Sequence, residues 1–186
     1  QLAWLRAELE TNRGLPTIVF FHGPLEGTLL NYNQNANRDN YIAQPAYEIR
    51  ELLRKHPQVF LWVAGHMHVP ATHESFRHPI NLHAGRVLAV HATDLQRERI
   101  WTTSLFLHAD KVVVKTYDHH AGQWMPDLER RSSASFISSK EGGTPVSFSL
   151  SWMKRSNSFC LRVNMRRFPF PPARCRIGDP AHTPVN

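Results

Sequence analysis

Residues 58–68, QVFLWVAGHMH, decide how this chain is read. From Val59 to Ala64 the run is unbroken in β-branched, aromatic and small apolar residues, the pattern of a strand buried on both faces. Gly65 stops it, and His66, Met67 and His68 follow at its carboxyl end. Upstream the design recurs: Pro16 opens a second such run, TIVFF at 17–21, which leads into His22, Gly23 and Pro24. Between the two lies PAYEIRELLRKH at 45–56, which sets Ala46, Ile49, Leu52 and Leu53 on one helical face and places Pro45 at the start. Strand, loop, helix and strand make a βαβ unit, so the two strands are expected to be parallel with a right-handed crossover.

Outward from this unit, Leu2, Leu5 and Leu9 in QLAWLRAELETN mark an amphipathic helix ended near Gly14. Residues 25–44 are polar and Asn-rich, without helical or strand period, and read as a binding loop or cover. Past His68 the signals are shorter and β-like, at 71–76, 86–93, 100–108 and 111–117. The last two are joined by Ala109 and Asp110 into an expected antiparallel hairpin, with Trp124 capping the sheet and the domain closing near 128–131. The fold class expected is α/β: a parallel βαβ unit followed by antiparallel strands, in a domain spanning 1–131.

Composition separates that domain from the residues after it. The 186 residues carry a formal charge of +7, yet residues 1–131 hold 14 basic and 13 acidic side chains, whereas 132–186 hold 8 and 2. The basicity belongs to a tail with ten Ser and six Pro, whose composition predicts disorder or only local order over 132–186. Both cysteines, Cys160 and Cys175, lie in the tail, which excludes a disulfide framework and a thiolate zinc site from the domain. Eleven of the 12 histidines lie in the domain, so imidazole chemistry is the chemistry to look for. No apolar run approaches the roughly 18–20 residues of a membrane span, and the start does not resemble a signal peptide. The expectation is a cytoplasmic chain without membrane contact.

Parallel strands end on one edge of a sheet, and ligands of open α/β sheets bind outside those ends. His22 leaves the first strand and His66 the second, so they converge across 44 positions of sequence. His68 is two residues beyond His66, on the same face if the backbone is extended. Neutral imidazoles suit zinc, manganese or iron, and the three are the candidate metal ligands. Gly65 is expected to clear space at that turn. His56, His78, His83 and His108 read as surface or partly buried residues, and His73 and His91 remain open. Arg38, in the covering loop, is the candidate substrate contact, since a guanidinium matches a phosphate.

FFHGP at 20–24 followed by GHMH at 65–68 resembles the last two metal-binding blocks of the calcineurin-like metallophosphoesterases. The opening QLAWLRAEL resembles the helix before the first of these blocks, and the closing hairpin ends in GQW, so the resemblance covers residues 1–125. It implies the C-terminal half of an αββα sandwich and a hydrolase acting on a phosphate ester through two divalent ions of manganese, iron or zinc. His22 and His66 would be ligands of one ion and His68 of the other. An ion-bound hydroxide would attack phosphorus in line.

The family's D-x-H, G-D-x-x-D and G-N-H-[DE] blocks, which supply the bridging carboxylate, do not occur in order here. Asp118-His119-His120 spells D-x-H but comes after GHMH, and reads as a polar turn. The chain therefore reads as a fragment: the C-terminal His ligands of a dinuclear centre, holding at most one ion and inactive alone. The missing strands would leave a sheet edge beside His22 open to association. Two other classes use the same residues differently. One is a mononuclear or structural His metal protein. The other is a nucleic-acid module built on the basic, aromatic tail, with Trp152, Phe159, Phe168 and Phe170 among its arginines. A tail of unselected sequence is a third reading of 132–186.

Overall fold

A computed structural model describes residues 1–30, 33–92, 95–96, 99–108, 111–133, 146–155 and 158–167. Helix α1 (Leu2–Thr11) leads to strand β1 (Thr17–Phe21), then helix α2 (Ala46–Lys55) and strand β2 (Val59–Ala64). Next come β3 (Leu82–His83), β4 (Val87–His91), β5 (Leu95–Gln96), β6 (Arg99–Leu107), β7 (Lys111–Asp118), β8 (Gln123–Trp124) and β9 (Arg130–Ser133), and in the tail β10 (Val146–Arg155) and β11 (Ser158–Arg167).

The first sheet has the order β1-β2-β4-β3. β1 and β4 both run parallel to β2, and β3 runs antiparallel to β4. The expected βαβ pairing is present, and the parallel part extends to a third strand before any antiparallel strand is added. A second sheet has the order β5-β6-β7-β8, with β9 also on β7, all antiparallel.

Strand alternation divides the first sheet's apolar residues between two cores. Val19, Val59, Trp62, Ala64 and Val87 face Leu5 and Leu9 of α1 and Ile49, Leu52 and Leu53 of α2. Ile18, Leu61, Leu88 and Val90 face Trp101 of β6 and Val112 and Val114 of β7. The layers are thus helices, parallel sheet, antiparallel sheet. Each fully buried side chain of this kind contributes about 1.5–3 kcal/mol, so two cores on one sheet fix its register firmly.

Helix ends are tied to the sheet. Asn12 returns its side-chain amide to the Glu8 carbonyl at 2.7 Å. In α2, Glu48 lies in the first turn and Arg54 and Lys55 in the last, which suits the helix dipole. Arg86, just before β4, donates to the carbonyls of Leu53 (2.5 Å), Val59 (2.6 Å) and Pro57 (3.0 Å). It closes the end of α2 onto the start of β2.

Two expectations change. Residues 71–76 are not a strand: a 3-10 turn occupies Glu74–Phe76 and another Pro79–Asn81. His73 and His78 cap these turns, their Nδ1 atoms accepting from the N–H of Ser75 (3.2 Å) and Ile80 (3.1 Å). Such local side-chain bonds compete with a strand ladder, and here they win. The first domain's last strand, β9, runs to Ser133, two residues past the expected boundary. In the tail, β10 and β11 pair as an antiparallel hairpin. β11 lies beside β1, the end strand of the first sheet and the edge expected to be open, without joining its ladder. The 109–110 link and the rest of the tail lie outside the described residues.

Candidate functional site

β1 and β2 are paired from Thr17 with Val59 to Phe21 with Ala64, so they end level. One residue on, the His22 carbonyl accepts two amides, from Gly65 (3.1 Å) and His66 (2.9 Å). This tie brings the imidazoles together. Nδ1 of His66 lies 2.6 Å from Nε2 of His22, with the rings edge to face and centroids 4.5 Å apart. At that distance one nitrogen carries the proton and the other accepts it, because two bare lone pairs would repel. The His66 imidazole is held below its usual pKa, first by burial and then by the charges of His22 and His68, which favours the neutral form a metal needs.

His68 departs from the expected geometry. Residues 66–67 form a turn and His68 adopts φ 48°, the left-handed region. The shared-face argument for His66 and His68 required extended backbone and does not apply. His68 is exposed, near enough to His66 for their charges to interact.

The crowded glycine is Gly23, not Gly65. A side chain at Gly65 would meet open space, whereas a Cβ on Gly23 would stand 2.9 Å from Ala43 N and 3.0 Å from Ile42 C. The Gly23 carbonyl accepts from the buried Trp62 indole at 3.0 Å, and Ala43 N donates to the Pro24 carbonyl at 2.8 Å. The long crossover segment therefore returns directly onto the turn after β1. Asn37 fastens it from the other side, donating to the Leu29 carbonyl at 2.6 Å.

Among the described residues, the side chain this segment presents to His66 is Tyr41. Its ring lies 5.4 Å from that of His66 at 40°, and it packs with Ala36 against Leu29, Met67 and Val69. Arg38 is exposed, and its carbonyl accepts from Tyr41 N at 2.8 Å. Tyr41 was not singled out from sequence; an aromatic in an Asn-rich loop carries no periodic signal.

β4 ends in His91, level with Ala64 of β2. This third strand-end histidine is 2% exposed. Its Nε2 donates to the Thr28 carbonyl at 3.1 Å, and Nδ1 is buried without a partner among the described residues. Burial drives its pKa down to about 4, so it is neutral at pH 7. Beside it, Asn81 donates to the carbonyls of Thr28 (3.3 Å) and Ser75 and accepts from Arg130 at 3.3 Å. His56 is equally buried, at the end of α2 near Glu10. Asp118 ends β7 in a polar turn, its Oδ1 accepting the amides of His120 (2.8 Å) and Ala121 (3.1 Å).

The donor set can be tested against a metal ion. Two imidazole nitrogens on one ion, at about 2.0–2.1 Å and ordinary angles, stand about 3.0–3.4 Å apart. His22 and His66 would part by about 0.4–0.8 Å to hold one, within the reach of a side-chain torsion. Among the described residues no group of three or more His, Cys, Asp or Glu is assembled as a metal site. The pair fits one ion; a second would need carboxylates from elsewhere. No described helix is long and apolar enough to cross a membrane. No family model matches this chain, and no curated protein matches it at a significant level.

Proposed function

We propose that this chain carries part of a metal-dependent phosphoesterase site, with His22 and His66 as the ligands of one divalent ion and His68 at its rim. The observation that supports the reading best is the meeting of two imidazole nitrogens, 2.6 Å apart, at the level ends of adjacent parallel strands, where α/β sheets place their ligands. The helix, parallel sheet and antiparallel sheet layers accord with half of an αββα sandwich, and FFHGP and GHMH with the metallophosphoesterase blocks.

A bound manganese, iron or zinc ion would supply Lewis acidity and a lowered water pKa. The chain's own residues would do the rest. The His22 carbonyl tie brings the two imidazoles together, and the lowered pKa of His66 favours its neutral imidazole, the form that can offer a lone pair. Trp62 and Gly23 hold the crossover segment against the site. Arg38, exposed on that segment, is kept as the candidate contact to a phosphate ester reaching the rim. With no carboxylate bridge in reach among the described residues, the expected behaviour is one ion and no turnover by this chain alone.

Calorimetric titration with zinc and manganese tests this, beside a chromogenic phosphodiester assay. One site that disappears in His66→Ala, with hydrolysis at background, is the expected outcome. Absence of binding would overturn the metal reading. Two tight sites with turnover would overturn the partial-site reading. A mononuclear site serving no hydrolysis is favoured by the same two-nitrogen donor set. It gains if joining the carboxylate-bearing blocks to this chain raises neither stoichiometry nor hydrolysis.

A further inference from the structure

We propose that Tyr41 is the positioning residue of the His pair, its ring fixing the orientation of the His66 imidazole; the consequence for metal affinity rests on the reading above. An imidazole torsion is broad and roughly two-fold, and a flip exchanges a ring nitrogen for a C–H. For Nδ1 of His66 to face His22, something must hold the ring. His22 meets it edge to face, and among the described residues the other aromatic ring against it is Tyr41.

Tyr41 is itself well anchored. It ends the 3-10 turn Asp39–Tyr41, and the next two residues, Ile42 and Ala43, are buried. Its amide is bonded to Arg38, and Ala43 is bonded to Pro24 immediately after the His22-Gly23 turn. Tyr41 packs against the small apolar group of Leu29, Val69 and Met67, the last being the residue between the two histidines of GHMH. One side chain thus braces both the imidazole and the turn that carries it. The crossover segment is a fixed wall of the site here, and its register decides where the His66 nitrogen points.

Two measurements on the full chain test this. In the metal-free protein at one fixed pH, long-range proton–nitrogen NMR reports the ring nitrogens of His66. Wild type and Tyr41→Phe are expected to show one set with Nδ1 in the bond to His22, and Tyr41→Ala an averaged set. In zinc titration, Tyr41→Ala is expected to weaken binding about two- to tenfold, the range of an aromatic pair, and Tyr41→Phe to restore it. A wild-type spectrum in Tyr41→Ala overturns the proposal, and so does a Tyr41→Phe protein that behaves like Tyr41→Ala. If wild type binds no zinc, the metal reading fails while the metal-free spectrum still decides the role of Tyr41.

Discussion

Three parallel strands of one sheet each deliver a histidine to the same edge, and the three meet different fates. His22 and His66, from β1 and β2, face each other in an exposed pair. His91, from β4, is sealed beneath Thr28 and donates to its carbonyl. Residue type and topological place are the same; what differs is the chain that crosses above. Over β4 the residues after Pro24 cover the strand end, and a covered imidazole must stay neutral. Over β1 and β2, among the described residues, the segment lays Tyr41 against a half-buried His66 and leaves His22 exposed. Burial, more than position on the sheet, separates a histidine whose ring is reachable from one that is sealed.

The contrast can be broken most sharply at the exposed pair. Replacing His66 by Ala should abolish zinc binding in calorimetry while the thermal midpoint moves less than on replacing the sealed His91, because His66 is only half-buried. A large loss of midpoint with binding retained would reverse the roles assigned to the two kinds of histidine.

The buried member should behave in the opposite way. With a folded pKa of about 4 against an ordinary 6.5, His91 takes up a proton in the unfolded chain before it does in the folded one. Its contribution is complete above about pH 6.5 and is lost as pH falls toward 4, about 3 kcal/mol in all. Denaturant unfolding of wild type and His91→Gln between pH 7 and 4 checks this. The variant should lose that part of the slope, and equal slopes would show that another group carries it.

A smaller effect is expected where the covering segment presses on the site. Gly23→Ala should cost about 1–3 kcal/mol, the usual range for overpacking, and should loosen zinc binding by shifting Ile42 and Ala43. Gly65→Ala, with open space for its Cβ, should change stability less. Unfolding free energies of the two variants decide the order. Trp62→Phe removes the indole donor to the Gly23 carbonyl and shrinks a fully buried core side chain, and should cost a comparable amount, about 1–3 kcal/mol.

Much of this architecture was legible in residue patterns. The runs TIVFF and VFLWVA, the helix between them and the hairpin of β6 and β7 all follow from periodicity, and so does the convergence of His22 with His66. What was not legible depends on contacts between distant segments. Nothing local distinguishes His91 from His66, since burial comes from Thr28, 63 positions away. The left-handed turn at His68 and the crowding at Gly23 likewise arise from how the backbone is fastened. Residues 71–76 failed as a strand because histidine caps there act within two residues. In the tail, Val146, Phe148, Leu150 and Trp152 alternate with serines from 147 to 151, a two-residue period that overall composition concealed.

The His22 carbonyl, which receives two amides from the far side of the strand gap, makes the two histidine-bearing turns mechanically one. Neither can swing away without breaking both bonds and unzipping the last rungs between β1 and β2. The amides of Gly65 and His66 should therefore exchange with solvent deuterium as slowly as those inside the sheet, although both residues sit at its rim. The spacing of the two backbones at this rim is set by the folding of the sheet, and side-chain torsions alone adjust the gap between the imidazoles.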